Sequence, residues 1–309
     1  MSTLFSKLKR TLFLPEIMKE EKVSLQYGFR KELLTQQALI CKESGVSSEK
    51  YFEQEVVVSM ASYGTRVTSA YLAVESIMQQ SIKPNRIILC IPEEWKQRPL
   101  PRLIQNQQER GLEVLYNKDI WSFKKLIPAL NKYPNSIIIT GDDDCLYNVD
   151  FIEMLLASHR KDPEAIWGNR IHKVTFNKEG EVDYYRNWDW EIPYTEEASK
   201  LHFITTVGGV LYPPNSLYKD VTEEKIFMDI SKYNDDIWCY AMALLKGTPI
   251  KRSYTHSPKG IEYLSVEESQ YERLSLGNVS AGESRNDKIF KTVCERYHLF
   301  DIIKTEIVK

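Results

Sequence analysis

Three consecutive carboxylates, Asp142-Asp143-Asp144, follow Gly141 directly after the most isoleucine-rich stretch of the chain, Ser136 to Thr140 (SIIIT). Carboxylates so close repel one another unless a cation neutralises them. Hard divalent ions such as Mn²⁺ and Mg²⁺ prefer oxygen ligands and leave room for substrate phosphates. Asp142 and Asp144 form an Asp-x-Asp pair. One of the two could meet a ribose while the other holds a metal, which would stabilise the charge on a departing diphosphate. The bland alternative is a solvated acidic turn.

A second acidic pair lies in Asn234-Asp235-Asp236-Ile237-Trp238. Asn234 suits a helix N-cap, and acids in a first turn complement the helix dipole. The functional alternative makes one of these carboxylates a general base for a sugar hydroxyl. Gly208-Gly209, inside the strand-like run Thr205 to Leu211, marks a close approach of ligand or backbone, or a bulge at a sheet edge. Ser62-Tyr63-Gly64-Thr65-Arg66 ends the first apolar run. There Tyr63 could stack on a base and Arg66 could meet phosphate; otherwise this is an ordinary βα turn. Lys125, beside Lys124, could meet a diphosphate or lie solvated on the surface. His256 could complete a metal shell, although the five histidines show no metal spacing. No P-loop, GxSxG or GxGxxG motif occurs.

These residues need a frame, and a regular alternation supplies it. Apolar runs at Glu55 to Ser62, Arg86 to Ile91, Glu113 to Tyr116 and Ser136 to Thr140 read as buried strands. Helical patterns separate them: Thr68 to Gln80, Leu100 to Arg110, and a segment capped by Ser122 with Phe123, Leu126, Ile127 and Leu130 on one face. Such alternation predicts an α/β fold of Rossmann type, with a mostly parallel sheet flanked by helices and ligands beyond the carboxyl ends of the strands. Downstream, Asp150 and Glu153 suggest a capping box. Residues 171–187 suggest a small β-hairpin insertion turning near Lys178-Glu179-Gly180. Asn234 opens a helix ended by Gly247, and a last helix starts near Asp287.

Composition narrows the function classes. The chain has 309 residues, and a formal net charge of −2 gives no global field toward nucleic acid. The five cysteines are widely spaced with no CxxC pair, which argues against disulfides or structural zinc and for a reducing cytoplasm. No apolar run is long enough to span a bilayer. Met1 to Leu14 mixes Lys7, Lys9 and Arg10 with six large apolar residues. It reads either as a peripheral amphipathic helix on the inner face of the plasma membrane or as a helix packed on the domain or a frayed terminus. Residues 1–52 read as an N-terminal helical extension, and 53–309 as one domain.

The segments VVVSMASYGTR, ESIMQQSIKPNRIILCI, SFKKLIPALNKYPNSIIITGDDD, TTVGGVLYPP and NDDIWCYAMALLKG, in this order, span about residues 55–250. Together they resemble bacterial glycosyltransferases of the GT-A fold, of the family-2-like kind that builds capsule and lipopolysaccharide glycans. The fit from Asn278 to Tyr297 is looser. The resemblance implies a nucleotide-diphosphate-sugar donor, a saccharide or lipid-linked acceptor, and Mn²⁺ or Mg²⁺ at the acidic loop. It implies donor and metal contacts for Asp142 and Asp144, and Gly208-Gly209 bordering sugar and acceptor; Asp143, between the two, is counted with the donor residues by its place alone. It makes Asp236 the base with Asp235 beside it, where related enzymes carry Glu-Asp, and inversion follows if that base is real. Two other readings stand beside it: a non-catalytic nucleotide-sugar-binding protein and a sugar nucleotidyltransferase. For the latter, Ser62 to Arg66 is a sparse phosphate loop.

Overall fold

The computed structural model describes residues 2–267 and 282–306, with side chains from residue 21 onward. A long helix α1 (Ser2–Ile40) precedes the sheet. The side chains of Met1 to Leu14, on which the membrane-contact reading rests, lie outside the described residues, as does Asn278. No described helix is long and apolar enough to cross a membrane. Further along, Tyr27, Leu34 and Ala38 of α1 are buried, and Arg30 donates to the Tyr147 carbonyl at 3.1 Å.

The four predicted strands form, and they are parallel. They are β1 (Val56–Ala61), β2 (Arg86–Pro92), β3 (Leu112–Asn117) and β4 (Ile137–Asp142). The helices between them are α2 (Tyr71–Met78), α3 (Arg102–Gln108) and α4 (Ile127–Lys132). After β4 come β5 (Cys145–Tyr147), α5 (Phe151–Lys161), β6 (Ile166–Gly168), β7 (Ile171–Lys173), β8 (His202–Ile204) and β9 (Val210–Tyr212). Next are α6 (Glu224–Ile230), α7 (Asp235–Lys246), β10 (Ile250–Arg252), β11 (Tyr263–Ser265), α8 (Arg285–Tyr297) and α9 (Leu299–Lys304).

The main sheet has seven strands in the order β10-β6-β9-β4-β1-β2-β3. Only β9 runs against the others. The protein is therefore an α/β fold with a mostly parallel sheet. Its central strands are apolar on both faces because both are covered: Val57 and Ile138 lie in one core layer, Val56, Val58, Ile137 and Ile139 in the other. Two small sheets, β7-β8 and β5-β11, sit outside it.

Several local expectations are corrected. The 171–187 hairpin keeps its turn, with the Asn177 side-chain carbonyl accepting from the backbone amides of Glu179 and Glu181. However, β7 forms its ladder with β8, and the return limb is joined to the outgoing one only by isolated antiparallel bridges, Phe176 to Val182 and Lys173 to Asp189. That limb carries Tyr185 and Trp188, whose rings are buried beside Phe203, so the chain bends into a 3-10 turn at Tyr185–Asn187. Ser122 caps nothing. A 3-10 turn, Trp121–Lys125, starts there instead, with the Trp121 amide held by Asp119. The Asp150–Glu153 capping box is absent, because Glu153 turns to Ser81 and Asp150 to His256. The capping box that does form is Ser284–Asp287 at the start of α8.

The run Thr205 to Leu211 is not one strand. A 3-10 turn, Thr206–Gly208, interrupts it, and β9 begins only at Val210. Gly209 has φ +90°, and a Cβ there would stand 2.3 Å from the Phe151 ring. Both the backbone angle and the ring exclude a side chain. Gly209→Ala is expected to cost about 3 kcal/mol or more of stability, measured by urea denaturation. Adding Phe151→Leu should recover only the steric part. Unchanged stability in Gly209→Ala would contradict the need for glycine.

Candidate active site

The site lies beyond the carboxyl ends of β1 and β4, where a parallel sheet leaves strand-end residues facing a crevice. β4 runs two residues past the apolar core, so Asp142 is its last residue and pairs with Ala61 of β1. The Asp142 amide donates to the Tyr147 hydroxyl at 2.8 Å. The acidic loop is thereby folded back onto β5, which also pairs with β11.

The triad is neutralised first by the protein itself. Arg66, buried at the end of β1, bridges Asp143 and Asp144, the latter at 2.9 Å. The Ser62 hydroxyl donates to Asp143 at 2.5 Å. Lys125 is buried against Asp142 at 2.8 Å and Asp235 at 3.2 Å, and donates to the Thr206 hydroxyl at 2.6 Å. Both cations offered by the sequence as phosphate contacts are thus paired with carboxylates of the site. Lys124 is also buried, in a pair with Asp119. Tyr63 lies 5.2 Å from the Arg66 guanidinium, so its ring is backed by that cation.

The acidic helix start is confirmed in form. Asn234 caps α7 by accepting from the Ile237 amide at 2.9 Å, and Gly247 closes the helix in the left-handed region. This turn aims the two acids differently. Asp235 is buried and tied to Lys125. Asp236 is partly exposed, and its Oδ1 accepts from the Thr206 amide at 3.0 Å and hydroxyl at 2.7 Å. Its Oδ2 has no hydrogen bond among the described residues.

Thr206 is the residue the sequence reading missed. Lys125 can only donate, so its bond occupies the Thr206 oxygen as acceptor and turns the hydroxyl proton toward Asp236. One hydroxyl therefore joins Asp142 and Lys125 on one side to Asp236 on the other. The available signal was its place directly before Val207-Gly208-Gly209. Gly208 and Gly209 themselves are pressed by Arg170 and Phe151, so protein contacts already explain both glycines.

Five carboxylates (Asp142, Asp143, Asp144, Asp235 and Asp236) face two cations, Arg66 and Lys125. The surplus shows in the ionisation. Burial, with Asp144 nearby, pushes Asp143 up to about 7 against the opposing pull of Arg66. Burial and the Asp142 charge raise Asp144. Burial and the neighbouring Asp235 push Asp236 up to about 7, while Lys125 and the Thr206 bonds pull it down. Lys125 is held well above its ordinary value by Asp142, Asp235 and Asp236, which outweigh its burial.

Among the described residues no cluster of three His, Cys, Asp or Glu is arranged to hold a metal. His256 is on the surface, bonded to Asp150 at 2.5 Å and not to the acidic loop. Asp142 and Asp144 remain the candidate ligands. Both are partly exposed, and each uses one oxygen for its protein cation. Their other oxygens and the surplus negative charge fit a hard divalent ion that brings phosphate oxygens as its remaining ligands. They do not fit one caged by protein alone.

No protein-family model matches the chain, and no curated protein matches it. Solved structures resemble it distantly. The mannosyltransferase PcManGT from Pyrobaculum calidifontis, in complex with GDP-Man and Mn²⁺, is 10% identical over 93% of this chain and 83% of its own, with a TM-score of 0.44. Residues 1–349 of S. aureus TarS are 10% identical over 80% of this chain and 72% of their own, TM-score 0.44. The 4-diphosphocytidyl-2C-methyl-D-erythritol synthase from Anaerococcus prevotii is 11% identical over 70% of this chain and 92% of its own, TM-score 0.43. At these identities and scores the likeness concerns the course of the chain and says nothing of its chemistry.

Proposed function

We propose that this protein is an inverting glycosyltransferase that moves a sugar from a nucleotide-diphosphate sugar to a saccharide or lipid-linked acceptor in surface-glycan synthesis. The observation that carries this reading is the connected line Asp142–Lys125–Thr206–Asp236. It couples a candidate donor loop to a partly exposed carboxylate with one unused oxygen. The sequence resemblance over residues 55–250 supports the same reading.

In this mechanism Asp236 takes the proton of the acceptor hydroxyl at Oδ2. The acceptor oxygen then bonds to the anomeric carbon as the bond to the diphosphate breaks, which inverts that carbon. Thr206 holds Asp236 by two bonds to Oδ1, and this fixes which oxygen faces the acceptor. Lys125 opposes the burial and the Asp235 charge that push Asp236 up to about 7, and so favours its ionised, proton-accepting form. Arg66 and Ser62 hold Asp143, and so hold the loop that presents Asp142 and Asp144. When bound at those two residues, Mn²⁺ or Mg²⁺ would supply positive charge to the leaving diphosphate.

A thermal-shift screen of nucleotide-diphosphate sugars, with and without Mn²⁺, tests the reading. A donor at about 100 times its Kd should stabilise the fold by about 2.7 kcal/mol. Asp144→Asn should remove the Mn²⁺-dependent part. No shift with any donor would remove the proposal. Pyrophosphate release from a nucleoside triphosphate and a sugar phosphate would replace it with nucleotidyl transfer. Donor binding without turnover, when acceptors are supplied, would replace it with a binding protein.

A further inference from the structure

The acceptor side of the site carries an exposed, rigidly held indole. Trp190 is 41% exposed. Its ring nitrogen donates to the Tyr185 carbonyl at 3.1 Å. One ring face stacks on His172 at 4.7 Å between centroids, with 27° between the planes. Its orientation is thus fixed although much of it meets solvent. An exposed scattered aromatic is ordinary, but one clamped from behind and at its edge is pre-organised.

Two costly features hold it. Glu191 has φ +56°, a left-handed angle unusual for a residue other than glycine. Its amide donates to His172 Nδ1 at 3.0 Å. That bond makes Nδ1 the acceptor, so the neutral ring carries its proton on Nε2. Nε2 is buried and has no hydrogen-bond partner among the described residues. Backbone strain and an unsatisfied donor concentrated at one spot mark functional surfaces more than packing ones.

The platform lies close to Asp236. Arg170 donates to the Thr205 hydroxyl at 3.2 Å, next in sequence to the Thr206 that holds Asp236. The same guanidinium is 6.0 Å from the Trp190 ring and 3.1 Å from Glu191. Tyr185, 5.2 Å from Trp190 between centroids, feels the Asp236 charge. A flat apolar ring beside a planar Arg–Glu pair matches a sugar ring, which offers C–H bonds on its face and hydroxyls on its edge.

We infer that Trp190, with Arg170 and Glu191, forms an acceptor subsite that binds a pyranose ring stacked on the indole. This deepens the glycosyltransferase reading and rests on it for the word acceptor; the saccharide subsite itself can be tested without turnover. The probes are the methyl glycosides of glucose, galactose, mannose and N-acetylglucosamine. Binding is read by saturation-transfer NMR on wild type, Trp190→Ala and Trp190→Phe. At least one glycoside should bind wild type, about tenfold more weakly to Trp190→Ala, with Trp190→Phe between them. Nucleotide-sugar binding, read by thermal shift, should stay as in wild type. Equal saturation of wild type and Trp190→Ala overturns the subsite, as does absence of binding to wild type by all four. Loss of nucleotide-sugar binding by wild type, with Trp190-dependent glycoside binding intact, removes the transferase reading and keeps the subsite.

Discussion

Asp236→Asn is expected to lower transfer by about 10³-fold while donor affinity stays within about twofold. The amide keeps an oxygen for the two Thr206 donors, so the helix start should not move. It also removes a like charge beside Asp235, so the melting temperature should hold or rise. A catalytic loss without a stability loss would separate a working carboxylate from a helix-dipole ornament. Full transfer activity in this variant would refute the base assignment.

The pH profile gives a second check on the same residue. Burial and Asp235 push Asp236 up to about 7, with Lys125 opposing. A general base works deprotonated, so kcat/KM should rise with pH through about 7 and then level. An acid limb near the ordinary carboxylate range, or none, would point to another base.

Lys125→Met is the other large expected effect, and it acts on stability as well as rate. Lys125 is buried and faces Asp142, Asp235 and the Thr206 hydroxyl. Removing one partner of a buried pair leaves uncompensated charge and costs about 3–5 kcal/mol. The sign of the pH dependence follows from Asp236. Its folded pKa lies above its unfolded value, so the folded state holds the proton more tightly, and stability falls as pH rises between the two. Without Lys125 the folded value climbs further and that window extends upward. The deficit of Lys125→Met should therefore be larger at about pH 8 than at about pH 6 by urea denaturation. The acid limb of transfer should also move to higher pH. A solvated surface lysine would give less than about 0.5 kcal/mol and no pH dependence.

Periodicity determined the sheet. The runs around Val57, Ile88, Val114 and Ile138 are apolar at successive positions because both faces of a central parallel strand are covered. Asn234 and Gly247 also marked their helix, since capping is a local demand of the backbone. The chemistry of the acidic loop was legible as charge in a strand-end position. Ser62, Arg66, Lys125, Asp142, Asp143, Asp144, Asp235 and Asp236 were all marked by type and place, and the fold brings them into one network. His256 is drawn elsewhere, to Asp150, as Lys124 is to Asp119.

Only the tertiary structure decided who neutralises whom. The sequence called for a cation beside the three aspartates, but Arg66 and Lys125 reach that loop from other strand-to-helix connections, 77 and 17 residues away in the chain. Spacing along a chain carries no information about such a meeting. The same holds for Thr206, an unremarkable hydroxyl until the turn before β9 lays it between Lys125 and Asp236. It holds for Trp190 as well, whose exposure depends on His172 and a left-handed Glu191. Local periodicity writes strands and helix ends into the sequence; long-range packing selects which of the two acids on α7 is tied to Lys125 and which keeps an oxygen unbonded.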